Sequence, residues 1–270
     1  MKIIVSHDVD HLTVFEHLSD LIIPKFLIRG FIELGLGYIT LQEMYLRVKE
    51  ILKNRWNHIE ELLEFDKSNG VNSTFFFGVE KGRGLAYSKN LAAEYIKLVL
   101  DKGFDVGVHG IAYNNFKEMK KEYEIFKKLS GLDSFGIRMH YLKLAKNTLN
   151  DLEKIGYLYD STLYKNTNPY KIGNIWEFPL HIMDGYIILG KNRWQSINLK
   201  KAMDLTKKII EQLFNENIRY LTILFHDRYF SDAFYTWKEW YINTILFLKK
   251  NGFSFVNYRQ AIKELENEGI

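Results

Sequence analysis

The chain contains 270 residues, of which 47% are hydrophobic and 26% are charged, and its formal net charge is +4. These proportions are typical of a folded globular protein and exclude a wholly disordered chain. The sequence has no cysteine, which excludes disulfides, thiolate zinc sites and cysteine nucleophiles. The mild, lysine-rich positive charge gives little support for nucleic-acid binding, because arginine is the usual reader of phosphates and bases.

The chain opens on an apolar strand pattern, Met-Lys-Ile-Ile-Val-Ser. A secretion signal has a longer apolar core that is followed by small residues at a cleavage site. This pattern has neither feature, so we predict a cytoplasmic protein.

The segment Leu21–Ile39 is the most apolar part of the chain, but it contains Pro24, Lys25, Arg29 and Glu33. A helix that spans a bilayer needs about 20 mostly apolar residues with few charges. We therefore predict a pair of helices that cover part of the core. The alternative is a segment that rests on a membrane surface, since apolar residues alternate there with basic ones.

Short apolar runs alternate with helical patterns along the whole chain. The predicted strands are Lys2–Ser6, Ser73–Phe77, Asp105–His109, Phe135–Arg138, Ile175–Phe178, Tyr186–Leu189, Tyr220–Phe225 and Phe253–Val256. The predicted helices are Leu41–Lys67, Leu91–Lys102, Phe116–Leu129, Thr148–Lys154, Leu199–Asn215, Trp237–Lys250 and Tyr258–Asn267. This alternation predicts an α/β fold with a largely parallel sheet and helices outside it. No linker composition interrupts the pattern, so we predict one domain over residues 1–270, with a helical insertion over about residues 12–68.

Two aspartates follow the first predicted strand. Strand side chains alternate between faces, so Asp8 and Asp10 point to one side while His7 and Val9 point to the other. Two carboxylates on one face after a buried apolar run are costly unless a cation or a proton separates their charges. A metal ion, or a general base beside a metal ligand, would satisfy the pair. For either Asp alone, the simpler alternative is the cap of a turn.

Other predicted strands also end in polar residues. His109 ends the third strand, Arg138 and His140 share a face at the end of the fourth, and His226 ends a late strand. In parallel α/β folds the carboxyl ends of the strands converge on one mouth. We therefore expect one mouth to hold two Asp, three His and one Arg.

In their order along the chain, these motifs resemble those of the polysaccharide deacetylase superfamily, the NodB-homology group that includes carbohydrate esterase family 4. The segments that carry the resemblance are Ser6–Asp10, Ser73–Phe77, Val106–Gly110, Gly136–Tyr141, Gly156–Thr162 and Ile223–His226.

The resemblance implies a distorted (β/α)7-type barrel and metal-assisted hydrolysis of an N-acetyl group on a saccharide. By position, Asp8 would be the general base, Arg138 its partner, and His226 the acid that protonates the leaving amine. Asp10 and His109 would bind a divalent ion, typically zinc. These roles agree with the general chemistry of metal-assisted hydrolysis.

The resemblance breaks at two positions. The family's second metal-binding His would lie four residues after His109, where this chain has Tyr113, and His140 stands in place of a proline. A tyrosine is a poor replacement ligand because its phenol must first lose a proton with a pKa of about 10. We therefore predict that His140 supplies the third ligand, beside Asp10 and His109. The alternative is a decayed site that binds no metal.

Aromatic residues near the predicted mouth are candidates for substrate binding, namely Tyr141, Tyr113 and Trp176. The resemblance also implies that the backbone amide of Tyr141 stabilises the oxyanion. Glu177 and Asp184 flank a short apolar segment, and either carboxylate could orient the predicted acid.

These observations predict a metal-dependent deacetylase of an N-acetylated saccharide. The predicted compartment favours a biosynthetic intermediate of a surface polysaccharide, such as a sugar carried on a nucleotide or a lipid. Two alternatives stay open: a metal-independent amidohydrolase of the same superfamily, and a catalytically silent saccharide-binding module.

Overall fold

The computed structural model describes residues 1–82, 84–190 and 193–269. The strands in these ranges are β1 (Lys2–Val9), β2 (Thr74–Phe77), β3 (Asp105–Gly110), β4 (Ile137–Met139), β5 (Tyr159–Asp160), β6 (Tyr170–Ile172), β7 (Ile175–Glu177), β8 (Ile182–Met183) and β9 (Tyr220–Leu224). Their order across the sheet is β6-β7-β5-β4-β3-β2-β1-β9-β8. Neighbouring strands are parallel, except for the antiparallel pair β6 and β7. The curled sheet forms half a barrel, which confirms the predicted α/β distorted barrel.

The helices of the described ranges are α1 (Ile22–Gly35), α2 (Leu41–Leu52), α3 (Ile59–Asn69), α4 (Lys89–Asp101), α5 (Phe116–Ser130), α6 (Thr148–Ile155), α7 (Asp184–Ile188), α8 (Leu199–Asn215), α9 (Tyr235–Lys250) and α10 (Tyr258–Asn267). Local sequence explains their ends. In α5, the Asn115 side chain accepts hydrogen bonds from two backbone amides at the start, and Gly131 ends the helix in the left-handed conformation.

The sheet separates two layers of core, and alternation along β1 assigns its residues to them. Ile3 and Val5 pack with the outer helices, whereas Ile4 packs into a smaller core on the other face. Helix α10 closes this inner core with Tyr258 and Ile262. Because strand side chains alternate, the same face of β1 carries its even-numbered residues on to the carboxyl end of the strand.

The insertion after β1 contains a short 3₁₀ turn and helices α1, α2 and α3. The predicted pair of helices over residues 21–39 is wrong, because this segment forms the single helix α1. The predicted helix Leu41–Lys67 is also wrong in extent. Asn54 takes a left-handed conformation after α2, and Trp56 is then fully buried before α3 begins. No helix in the described ranges is long and apolar enough to cross a bilayer.

Two predicted strands are not strands. The run Tyr186–Leu189 lies mainly in α7, since a four-residue apolar run does not distinguish strand from helix. Phe253–Val256 forms only an isolated bridge between Phe255 and Ile3. The short strands β5, β6 and β8 were not predicted, since strands of this length show little periodicity, although the three-residue strands β4 and β7 do overlap predicted strands.

Gly136 precedes β4 at a position where the inner face is crowded. A Cβ atom there would overlap the ring of Tyr159, which itself stacks on Tyr258 with ring centroids 4.4 Å apart. Replacing Gly136 by Ala is therefore expected to lower the free energy of unfolding by about 1–3 kcal/mol, measured by urea denaturation. The control is Gly35→Ala at the end of α1, where a Cβ meets nothing within 4 Å. Equal stability of Gly136→Ala and the wild type would contradict the crowding.

Candidate active site

A cavity of about 710 Å³ opens at the carboxyl ends of the strands. Its polar floor consists of Asp8, Asp10, His109, His140 and His226. The rest of the lining is Tyr141, Leu142, Met183, Gly185, Tyr186, Leu189, Gly190, Arg193 and Leu224. The structure therefore places in one cavity the two aspartates and three histidines that were expected to share a mouth.

Asp10, His109 and His140 form the tightest group in this cavity, and one ligand atom from each lies within 4.8 Å of the others. His109 Nε2 and His140 Nδ1 lie 3.2 and 3.3 Å from Asp10 Oδ1, and 2.8 Å from each other. Asp10 Oδ1 is buried and accepts no hydrogen bond from the described residues. A carboxylate oxygen and two imidazole nitrogens that converge in this way could hold a metal ion.

The orientation of His109 supports this interpretation. Its Nδ1 lies 3.1 Å from the carbonyl oxygen of Arg138, to which an Nδ1–H group would donate. That tautomer leaves Nε2 without a proton and directed at Asp10. Histidines that bind metals are commonly held this way, with the second nitrogen donating to a backbone carbonyl.

Asp8 lies beside this group and pairs with Arg138. The Nη1 group of Arg138 donates to Asp8 Oδ1 over 2.9 Å, and both side chains are buried. The rest of the guanidinium donates to Ser161 and to the hydroxyl of Tyr258. Burial alone would raise the pKa of Asp8, but electrostatic interactions, among them that with the Arg138 guanidinium, hold it below its usual value.

His226 faces the same cavity from beyond β9. Its Nδ1 lies 2.9 Å from Asp184 Oδ1, and its backbone amide donates to the same carboxylate. Burial lowers the pKa of His226, but Asp184, Asp10 and Asp8 raise it well above its usual value. Asp184 is thus the carboxylate that orients His226. The other candidate, Glu177, is buried against Asp160, and burial with this like charge raises its pKa.

The turn between His140 and Leu142 is unusual in its backbone. Tyr141 and Leu142 have φ angles of 58° and 53°, in the left-handed region that such residues rarely adopt. Each such residue costs about 1–3 kcal/mol, and strain of this kind concentrates at functional sites. The turn holds His140 over the cavity, and the His140 and Tyr141 rings lie 4.0 Å apart.

Comparisons with known proteins identify the fold. No family profile and no curated protein matches the sequence. A structure described as a polysaccharide deacetylase from Mycobacterium smegmatis aligns with 100% of this chain and 91% of its own, at 15% identity and a TM-score of 0.66. Another, from Pseudomonas aeruginosa PAO1, covers 97% and 88% of the two chains at 14% identity and a TM-score of 0.61. The chain has the polysaccharide deacetylase fold.

The polysaccharide deacetylase fold does not by itself decide the reaction. A PuuE allantoinase also aligns with 96% of this chain and 87% of its own, at 13% identity and a TM-score of 0.62. Function must therefore be argued from the side chains in the cavity.

The three aromatic candidates have different places in the polysaccharide deacetylase fold. Tyr141 lines the cavity and is 65% exposed. Tyr113 is not part of the lining, and its ring lies 5.6 Å from Lys143 Nζ. Trp176 is 1% exposed and packs into the inner core beside Phe178. The structure thus brings one of the three candidates to the cavity.

Two cavity residues were missed from the sequence. Tyr186 reaches the cavity because α7 replaces the predicted strand, and its ring packs against Tyr164 with centroids 4.9 Å apart. Arg193 lies in an irregular segment that precedes α8. Neither residue belongs to a motif, so no pattern in the sequence marks them.

The loop that leaves β3 after His109 is held by Glu122 of α5, whose carboxylate accepts hydrogen bonds from the amides of Ile111 and Ala112. Burial raises the pKa of Glu122 from 4.5 to about 7. The folded state therefore binds the proton more tightly than the unfolded state does, and this group makes stability fall as the pH rises from 4.5 to about 7. We expect Glu122→Gln to remove this loss, on the order of 3 kcal/mol.

Urea denaturation of both proteins, below pH 4.5 and above pH 7, measures this difference. Glu118→Gln removes an exposed carboxylate from the same helix and should follow the wild-type pH profile. A profile of Glu122→Gln that parallels the wild type would contradict the prediction.

Proposed function

We propose that this protein is a metal-dependent hydrolase that removes the acetyl group from an N-acetylated saccharide. One observation carries the proposal. A single cavity holds a convergent Asp–His–His group together with the buried carboxylate of Asp8 and the partly exposed imidazole of His226, which the buried Asp184 orients from behind the lining.

Asp10, His109 and His140 would hold the metal, and the donor set fits zinc. Three nitrogen and oxygen ligands with an open fourth position are typical of catalytic zinc sites. Asp10 Oδ1 is buried and accepts no hydrogen bond from the described residues, so a cation between it and the two imidazole nitrogens would satisfy it. A zinc ion bound there would acidify water and polarise the amide carbonyl.

Asp8 is placed to act as the general base. Its charge is held by Arg138, so the carboxylate stays ionised and ready to accept a proton from a water molecule in the cavity. Its lowered pKa makes it a weak base. The attacking water must therefore be acidified, which is the chemistry that the metal supplies.

His226 is placed to act as the general acid. Asp184 accepts from Nδ1, so Nε2 faces the cavity, 3.8 Å from Asp10 Oδ2. The neighbouring aspartates raise its pKa above the usual value, which favours the protonated imidazole, the form that could donate to the leaving amine. We assign the backbone amide of Tyr141 to the oxyanion, since it lies in the turn over the cavity.

The rest of the lining suits a sugar. Tyr141 and Tyr186 are exposed and offer flat rings with hydroxyl groups at the cavity wall. Within this proposal the substrate is a biosynthetic intermediate, a saccharide carried on a nucleotide or a lipid.

The experiment is acetate release from a panel of N-acetylated saccharides by the zinc-loaded protein, repeated after a chelator has removed the metal. Release that stops with the chelator and returns with added zinc is the expected result. Hydrolysis that survives complete metal removal would replace this proposal with a metal-independent amidohydrolase. Saccharide binding without any release would instead identify a silent binding module.

A further inference from the structure

A second cavity, of about 210 Å³, lies beside the candidate active site. We call it the basic cavity, and its charged and amide side chains are Lys25, Arg29, Glu33, Arg47, Gln195 and Arg228. Four of these side chains are cationic and one is a carboxylate. The first three belong to α1, so the insertion after β1 forms one side of this cavity, and Gln195 and Arg228 belong to the other.

The carboxylate in the basic cavity is already neutralised. Arg47 donates to Glu33 Oε2 over 2.8 Å, and Arg29 donates to Oε1 over 3.0 Å. The backbone amide of Gln195 donates to the same oxygen, Oε1. Glu33 is therefore fully paired and is not available to pair with Arg228.

Arg228 carries buried donor groups that the described residues leave without a partner. It is 9% exposed, and its Nε and Nη2 groups are buried without a hydrogen-bond partner among the described residues. Its guanidinium lies 4.3 Å from the ring centroid of Trp56 and 4.5 Å from that of Phe26. Such cation–π contacts contribute about 0.5–2 kcal/mol, whereas a buried charge without a hydrogen bond costs more than that. The site lacks an acceptor.

Gln195 points to the same missing partner. Its side-chain oxygen accepts hydrogen bonds from Arg47 and from the indole of Trp237. These bonds fix the orientation of the amide, so its Nε2 group can only donate. Nε2 is also buried without an acceptor among the described residues. The unpaired groups that line this cavity are thus donors, and they come from two separate segments of the chain.

We propose that the basic cavity binds a phosphate group. A guanidinium fork with two free N–H groups matches phosphate oxygens in geometry. An additional amide donor and the ammonium of Lys25 suit a group with several oxygens and more than one negative charge. The opening would thus accept the phosphate that links a saccharide to its carrier, and this identification of the source rests on the proposed function.

Two segments connect the basic cavity to the candidate active site. His226 lines one cavity and Arg228 the other, within a single turn. In the second segment, Arg193 lines the candidate active site and Gln195 lines the basic cavity. A phosphate in the basic cavity would therefore lie next to the catalytic groups, where it could position a substrate.

Binding is tested by calorimetric titration of inorganic phosphate into the full-length protein at constant ionic strength. One phosphate per chain is expected, and Arg228→Met should weaken it at least about 10-fold, the scale of a lost hydrogen bond to a charged group. Lys25→Met, on the exposed side of α1, is a second variant that should weaken binding without disturbing the fold. Arg219→Met is the control, since Arg219 pairs with Glu268 at another site and should leave affinity unchanged.

Absence of phosphate binding would overturn the site. Phosphate binding that neither Arg228→Met nor Lys25→Met weakens would also overturn the site, because phosphate would then bind elsewhere, for example to a metal in the neighbouring cavity. Acetate that binds as tightly as phosphate would overturn the choice of ligand.

The substrate assignment has a separate readout. The KM of an N-acetylhexosamine 1-phosphate should be lower than that of the free sugar; Arg228→Met should abolish the difference, whereas Arg219→Met should keep it. Equal KM values in the wild type would show that the bound phosphate is not part of the saccharide substrate. The phosphate site itself would still stand. Failure to hydrolyse either sugar counts against the proposed function, while the phosphate titration stands by itself.

Discussion

Asn in place of Asp8 is expected to lower the rate of acetate release by about 10²–10⁴-fold, the usual contribution of a positioned general base. The two side chains have the same shape, but an amide cannot take a proton from water. Arg138 also loses its carboxylate, and removing one partner of a buried pair costs about 3–5 kcal/mol of stability. The measurement is kcat at a temperature well below the melting point of the variant.

Asp105→Asn is the matched control for this variant. Asp105 is another buried carboxylate paired with an arginine, Arg259, over 3.0 Å. It begins β3, whose other end carries His109, about 13 Å away along the strand. The control should lose stability and keep its rate. If Asp8→Asn keeps its rate as well, Asp8 is not the base.

Ala in place of His140 is expected to weaken zinc binding by more than the roughly 10–100-fold that follows loss of an outer-sphere partner. Asp10 and His109 would then be left as two ligands, too few to compete with water for the ion. Competition against a chromogenic chelator measures the affinity directly and does not depend on any substrate.

His181→Ala is the control for the zinc titration. His181 is also a buried histidine with both ring nitrogens paired, to Thr222 and to the carbonyl of Thr167. It is not part of the cavity lining, so its loss should leave zinc affinity unchanged. Unchanged affinity in His140→Ala would show that this chain does not use His140 as a ligand.

The main features of the fold follow from patterns that are long enough to repeat. β1, β3 and β9 contain short apolar segments next to polar residues, and α5 and α8 have clear helical periodicity, so their positions could be predicted within a few residues. The two-residue strands β5 and β8 have no such signal. They form because their longer neighbours present unpaired backbone groups.

The site divides along a similar line. Alternation predicts that Asp8 and Asp10 share a face, since that depends only on the pleat of one strand. The place of Asp184 does not follow from sequence, because it depends on how α7 packs beside β9. Trp176 was expected at the mouth because of its place in the sequence, next to Glu177. Its side chain instead packs into the inner core.

The turn that carries both His226 and Arg228 has a thermodynamic consequence. Each cavity receives one of these side chains, so a ligand that shifts the turn in one cavity also changes affinity in the other. Such coupling is reciprocal: if phosphate changes the dissociation constant of zinc by some factor, zinc must change that of phosphate by the same factor. Titrating either ligand in the presence of the other would therefore give one coupling constant from two independent routes.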